Sequence, residues 1–266
     1  MKKLTLLIIV TLFSLNSYSQ VGGLSASKIG AVCTTPVPEN TIEFEPFFAY
    51  ALTNHYFDSN STRQNLFSTS DSTLKFSTSG FRFSYGLFKN FEIGVTLPVD
   101  VSEVRFGAKY KLPIEGNLNM GVLAGYNTLI GNQIYARRNS AHEMTPSFVG
   151  GLIFTYKISE KMCIDFDAQF QKHKEETIAG HTQGVFFNSA VGYYIFENVN
   201  LLTALSYNYK FYNNPTDDSY LLTLNTGIAI ERAKHFILVI NAPFDLLGKN
   251  EYQTTGFGLA LTILLD

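Results

Sequence analysis

The stretch FRFSYGLFKNFEIGVTLPV, residues 81–99, decides the fold. Phe81, Phe83, Tyr85 and Leu87 take the odd positions, and Phe91, Ile93, Val95 and Leu97 repeat the pattern after a break. Arg82, Ser84, Gly86, Glu92, Gly94 and Thr96 take the even ones. Period-2 alternation of large apolar and polar or small residues predicts two strands, and Lys89-Asn90 between them predicts a tight turn. Each strand then has one apolar and one polar face, and the fold depends on which of them looks inward.

The same alternation continues from Thr41 almost to the C-terminus and predicts about twelve strands. They fall at 41–53, 72–88, 91–98, 101–112, 117–129, 146–158, 162–172, 182–196, 199–212, 219–232, 235–245 and 252–265. Short connections (Lys89-Asn90, Pro113–Gly116, Ser159–Lys161, Glu197-Asn198, Ala233-Lys234) alternate with longer ones (Asn54–Asp71, Ile130–Thr145, His173–His181, Asn213–Asp218, Leu246–Glu251). The link at Pro98–Asp100 is a brief member of the long series. Tight turns at one end and larger loops at the other are the pattern of a barrel in an outer membrane.

The first twenty residues, MKKLTLLIIVTLFSLNSYSQ, supply a compartment. Lys2 and Lys3 precede an apolar run from Leu4 to Leu15, and Ser17-Tyr18-Ser19 offers small residues for cleavage before Gln20. This reads as a Sec-type export signal over 1–19. The apolar run is shorter than the roughly 20 residues of a spanning helix. Residues 20–40, broken by Pro36 and Pro38, read as an irregular periplasmic segment, and 41–266 as the β domain. Removing Lys2 and Lys3 from the 20 basic residues leaves 18 against 22 acidic ones, a net charge of about −4 that argues against nucleic acid.

Sorting strands by parity separates the faces. Val104, Phe106, Ala108 and Tyr110 oppose Glu103, Arg105, Lys109 and Lys111. Ile164, Phe166, Ala168 and Phe170 oppose Asp165, Asp167, Gln169 and Gln171. Phe257, Leu259, Leu261 and Ile263 oppose Gly256, Gly258, Ala260 and Thr262. A soluble sandwich would bury the apolar face. The export signal, the near-complete apolar face with aromatics near strand ends, and a polar face rich in Gly, Ser, Asn and opposite charges favour the inverse arrangement. Lipid tolerates no open sheet edge, so the sheet closes. The expected fold is all-β: a transmembrane, antiparallel, up-and-down β-barrel with lipid outside and polar residues inside, expected as a monomer.

The expected lumen-lining residues are Glu43, Glu45, Arg82, Glu92, Glu103, Arg105, Lys109, Lys111, Lys157, Asp165, Asp167, Lys210 and Glu231. They form either a structural network of charge pairs across a narrow bore or a selectivity lining. Cys33 and Cys163 lie toward the same end; a bridge between them, pinning residues 21–40 into the lower mouth, and two thiols are both open from sequence.

Catalysis finds little support. None of the five histidines stands mid-strand with a serine two residues away on the same face, as a nucleophile–base pair would need. An outer-membrane lipid hydrolase is therefore the weakest of the functional readings. His173, Glu175, Glu176 and His181 bring metal-ligand types into one loop, but its charges are more simply a solvated face, so neither metal nor cofactor is assigned.

SYGLFKNFEIGVTLPVDVSEVRFGAKYKL (84–112) resembles the family of outer-membrane barrels named for the MetA pathway of phenol degradation, also described as transporter-like. That pattern has a strand ending Y-G-L, a short polar turn, a strand of type L-E-I-G-V-x-L-P, and then G-x-K-Y/R-x-L. Tyr85-Gly86-Leu87, Lys89-Asn90, Phe91–Val95, Leu97-Pro98 and Phe106–Leu112 match it. MGVLAGYNTL (120–129) and the C-terminal FGLALTILL (257–265) resemble its other strands. Many such barrels end on an aromatic residue read by the barrel-assembly machinery, whereas this chain ends Leu265-Asp266. The resemblance implies uptake of small, often hydrophobic or aromatic permeants across an outer membrane of Gram-negative type. The alternative is a closed structural or adhesive barrel acting through the Ser/Thr/Asn-rich loop at 54–71 and the loop at 130–145.

Overall fold

The computed structural model describes residues 21–25, 29–68, 72–99, 103–114, 116–129, 145–174, 180–232 and 235–265. The export-signal expectation falls on residues outside these. β-strands run at Ile42–Phe57 (β1), Arg63–Asn65 (β2), Leu74–Phe88 (β3), Phe91–Pro98 (β4), Glu103–Lys111 (β5), Leu118–Leu129 (β6) and Ser147–Ser159 (β7). They continue at Met162–His173 (β8), His181–Phe196 (β9), Val199–Tyr212 (β10), Ser219–Arg232 (β11), Phe236–Lys249 (β12) and Glu251–Leu265 (β13). Among the described residues a single 3-10 turn, Pro215–Asp217, is capped by the Asn214 side chain.

All strands except β2 follow one another around a single antiparallel sheet, and β13 pairs back onto β1. The result is a closed barrel of 12 strands, as sequence periodicity predicts. Closure leaves no row of unpaired N–H and C=O groups, which is the condition hydrocarbon imposes. β2 is three residues long and lies against the far end of β1, beyond the start of β3.

Register carries the parity of one strand around the wall. Glu45 pairs with Arg82, Arg82 with Thr96, Thr96 with Arg105, and Arg105 with Asn127. Like faces therefore stay together. On the outward face Phe83, Phe106, Phe166, Phe187, Leu205 and Leu259 are exposed. On the inward face Glu92, Lys109, Asp167 and Asn188 are buried. This inverts the arrangement of a soluble protein, in which charged groups are almost never fully buried while large apolar ones are exposed.

Two connections depart from expectation. The loop predicted from Asn54 begins later, because β1 runs on to Phe57. Its register against β13 shifts between Leu52 and His55. There the Thr53 hydroxyl stands in for the ladder, accepting from His55 N at 3.2 Å and donating to its carbonyl at 2.7 Å. The loop predicted at Leu246–Glu251 is absent: β12 and β13 are joined through Asn250 alone. Asn250 has φ 53°, a left-handed conformation that asparagine tolerates better than most residues.

Candidate functional site

The inner face of a 12-stranded barrel encloses more space than small side chains fill, and here residues 21–25 and 29–41 occupy it at the short-turn end. Val21, Leu24, Ile29, Ala31, Val32, Val37 and Thr34 are all buried. The segment has almost no backbone pairing of its own, so the wall must satisfy its polar groups. Inward side chains of β3, β4, β5, β7, β8 and β11 do so.

Glu92 on β4 and Lys109 on β5 are register partners and fully buried, with Nζ 3.2 Å from Oε1. The Glu92 carboxylate accepts from Ser25 N at 2.7 Å, from the Ser25 hydroxyl at 2.7 Å and from Val37 N at 2.7 Å. Lys109 donates to the carbonyls of Ser25, Cys33 and Thr35, each at 3.0 Å. The ion pair thus has nearly every lone pair and proton used, which a buried charge requires. It clasps two distant parts of the segment.

A second anchor lies on β8. Asp167 accepts from Val32 N at 2.8 Å, from Gln169 Nε2 at 2.7 Å and from Asn188 Nδ2 at 2.8 Å. Gln169 accepts from Val21 N at 3.1 Å. Thr155 accepts from Thr34 N at 2.9 Å while its own proton goes to Asp165 at 2.6 Å. On β3 and β4, Ser84 donates to the Gly23 carbonyl and Thr96 accepts from Gly23 N. Contact is so close there that a Cβ on Gly94 would stand 1.7 Å from the Gly23 carbonyl oxygen, and Gly23 itself has φ +75°. Gly86 likewise leaves room for the Pro38 carbonyl, and Glu39 forms an isolated parallel bridge with it.

The remainder of the interface is apolar. Val21, Leu24 and Val32 pack with inward Leu123, Val149 and Ile153. Ile29 and Ala31 pack with Ala190, Leu202, Ala204, Ala229 and Val239. These wall residues occupy positions that parity assigns to a polar lumen. Apolar side chains on the nominally polar face were the available sign that something greasy lies inside, and the sequence reading passed over them.

The other expected lumen residues lie on the inward parity with varied environments. Arg82 bridges Glu43 at 2.6 Å and Glu45 at 2.9 Å. Arg105 pairs with Glu103 at 2.8 Å along one strand. Lys210 reaches Glu251 at 3.1 Å, and Glu231 accepts from the Tyr194 hydroxyl at 2.6 Å. Lys111 is half-buried and Lys157 is exposed near the short turns. Most of these pairs run along the wall between neighbours, not across the bore as expected; Lys210–Glu251 spans from β10 to β13. Missed altogether were Asp245, which accepts from Thr223 and Thr254, and an aromatic patch where the rings of Phe76 and Tyr252 lie 6.1 Å apart.

Of the two states left open for the cysteines, the structure records thiols and no bridge between Cys33 and Cys163. The segment is therefore pinned by hydrogen bonds and packing, not covalently. Burial pushes the Cys33 thiol up to about 11, against the opposing pull of nearby Lys109. Its Sγ lies 3.5 Å from the Thr35 carbonyl.

Comparison with solved structures agrees with this architecture. The chain is similar to the COG4313 outer membrane channel from Pseudomonas putida F1, with a TM-score of 0.68 and 11% identity over 87% of this chain and 98% of that one. It is also similar to the NanC porin (TM-score 0.58, 6% identity, 83% and 98% covered) and to the KdgM porin solved with disordered oligogalacturonate (0.53, 9%, 84% and 98%). No protein-family model and no curated protein matches the sequence. The chain has the fold of outer-membrane β-barrel channels and porins.

Proposed function

We propose that the protein is an outer-membrane channel for small molecules, closed in the described state by its own residues 21–25 and 29–41. The observation that carries this reading is the chemistry of the closure. The segment is held by side-chain hydrogen bonds, one ion pair and two apolar patches, with no disulfide, and water can replace the polar contacts when it moves. The short turns and this segment face the periplasm, and the long loops face outward. Hydrophobic or aromatic permeants are the substrate class. The Phe76–Tyr252 patch and the resemblance of residues 84–112 to the phenol-degradation barrels support that choice. The filled bore favours one competing reading, a closed structural barrel.

Planar-bilayer recording separates the two. Wild type is expected to show rare or small openings. Gly94→Leu, which drives a side chain into the Gly23 carbonyl, is expected to raise conductance several-fold. Wild type and variant equally silent, with both folded by heat-modifiable gel mobility, would overturn the channel reading.

A further inference from the structure

The lipid-facing wall carries, at its long-loop end, a patch that transport does not use. Tyr209 on β10, Tyr220 on β11 and Lys249 on β12 are register partners in one row across three strands. Neighbouring strands lie about 4.8 Å apart, so the three side chains stand together. Tyr209 shares the parity of exposed Leu201 and Leu205, and the row therefore faces outward. The rings of Tyr209 and Tyr220 are nearly parallel, with an interplanar angle of 9° and centres 6.5 Å apart. Tyr207, on the same face and further from the loop, sets its ring 5.9 Å from that of Tyr220.

Two polar groups of this patch are unspent. Among the described residues the Lys249 ammonium has neither an ion pair nor a hydrogen bond, and the Tyr207 hydroxyl has no partner. The other two hydroxyls are used: Tyr209 donates to Asp218 at 3.0 Å, and that of Tyr220 lies 2.9 Å from the Ser61 hydroxyl. Asp218 also accepts from Tyr212 N at 2.8 Å, while Glu251 turns to Lys210 at 3.1 Å, so neither carboxylate pairs with Lys249. A charge on the lipid face is tolerated only near the interface, where tyrosines also gather. There the polar tip of a tyrosine takes its partner from the headgroups. An ammonium binds phosphate as a point charge. The faces of aromatic rings are negative and attract the electron-poor C–H bonds of a sugar. A headgroup with both phosphate and sugar matches lysine and rings together; a phosphate without a sugar leaves the rings unmatched.

We infer that Tyr207, Tyr209, Tyr220 and Lys249 form a binding site for the phosphorylated sugar headgroup of an outer-leaflet glycolipid. The site rests on the orientation proposed above, with long loops outward, and its test needs no transport, so a silent channel leaves it standing. Full-length protein is delipidated in detergent and titrated with monophosphoryl lipid A, a phosphorylated glucosamine disaccharide, under native mass spectrometry. Phosphatidylglycerol, which has the phosphate and no sugar, is titrated in parallel. Wild type is expected to retain one lipid A per barrel in preference to phosphatidylglycerol. Lys249→Gln is expected to weaken lipid A binding about tenfold, the loss of one charge-assisted hydrogen bond. Tyr220→Leu is expected to abolish the preference over phosphatidylglycerol. Lys75→Gln, at an exposed lysine on β3, is expected to leave both unchanged. Heat-modifiable gel mobility identifies folded variants, and Lys249→Gln decides the matter even if Tyr220→Leu misfolds, since it removes no contact within the described chain. Equal retention of the two lipids by wild type, or binding indifferent to Lys249→Gln, would overturn the site, as would an equal loss with Lys75→Gln.

Discussion

Glu92 and Lys109 show how single residues govern the occupied lumen. Parity alone places both on the inner face, but nothing in the sequence says that their partners are the backbone groups of Ser25, Cys33, Thr35 and Val37, because those contacts cross 55 to 84 positions of chain. Lys109→Met leaves the Glu92 carboxylate buried without its cation, and loss of one partner from such a pair costs about 3–5 kcal/mol. A lower urea midpoint for the loss of heat-modifiable mobility is the measure, and an unchanged midpoint would mean that the clasp is not as tight as drawn. Cys33 gives a second test. With its thiol raised from 9.0 to about 11, only the rare thiolate reacts. In a Cys163→Ser background, iodoacetamide labelling at pH 8 should run about 100-fold slower than for an unperturbed thiol, since two pKa units separate them. The rate should climb about tenfold per pH unit and level off only near pH 11. Levelling near pH 9 would show that the segment leaves Cys33 open to water.

At the scale of strands and turns the sequence was most informative. Alternation predicts every barrel strand, because a two-faced wall between lipid and lumen forces period 2 on each of them. What it missed were local devices. The Thr53 hydroxyl extends β1 past its predicted end by replacing a ladder bond, and a threonine in a strand gives no warning of that. Asn250 closes the last hairpin alone, with its side chain on the carbonyls of Thr216 and Asp218 at 3.2 and 3.1 Å. Asn250→Ala should therefore cost about 1–2 kcal/mol for the left-handed backbone, together with those bonds. Asn250→Gly should recover the backbone part. Equal midpoints for wild type and Asn250→Ala would contradict the turn geometry.

The whole molecule combines two facts of unequal legibility. That the sheet closes follows from an apolar face with no protein to cover it. That the bore is filled by the N-terminal segment does not, since Val21, Ile29 and Val32 are few, scattered and without periodicity. The central claim is that apolar side chains face hydrocarbon while their sequence neighbours face an occupied interior. Phe186 and Phe187 test it directly: they are adjacent, one 2% exposed on the inner face and the other 43% exposed on the outer. The chain contains no tryptophan, so Phe186→Trp and Phe187→Trp each place a single emitter in the wall. In liposomes containing brominated lipid, Phe187→Trp fluorescence should be strongly quenched and Phe186→Trp fluorescence should not. Equal quenching of both, or quenching of Phe186→Trp alone, would contradict the account.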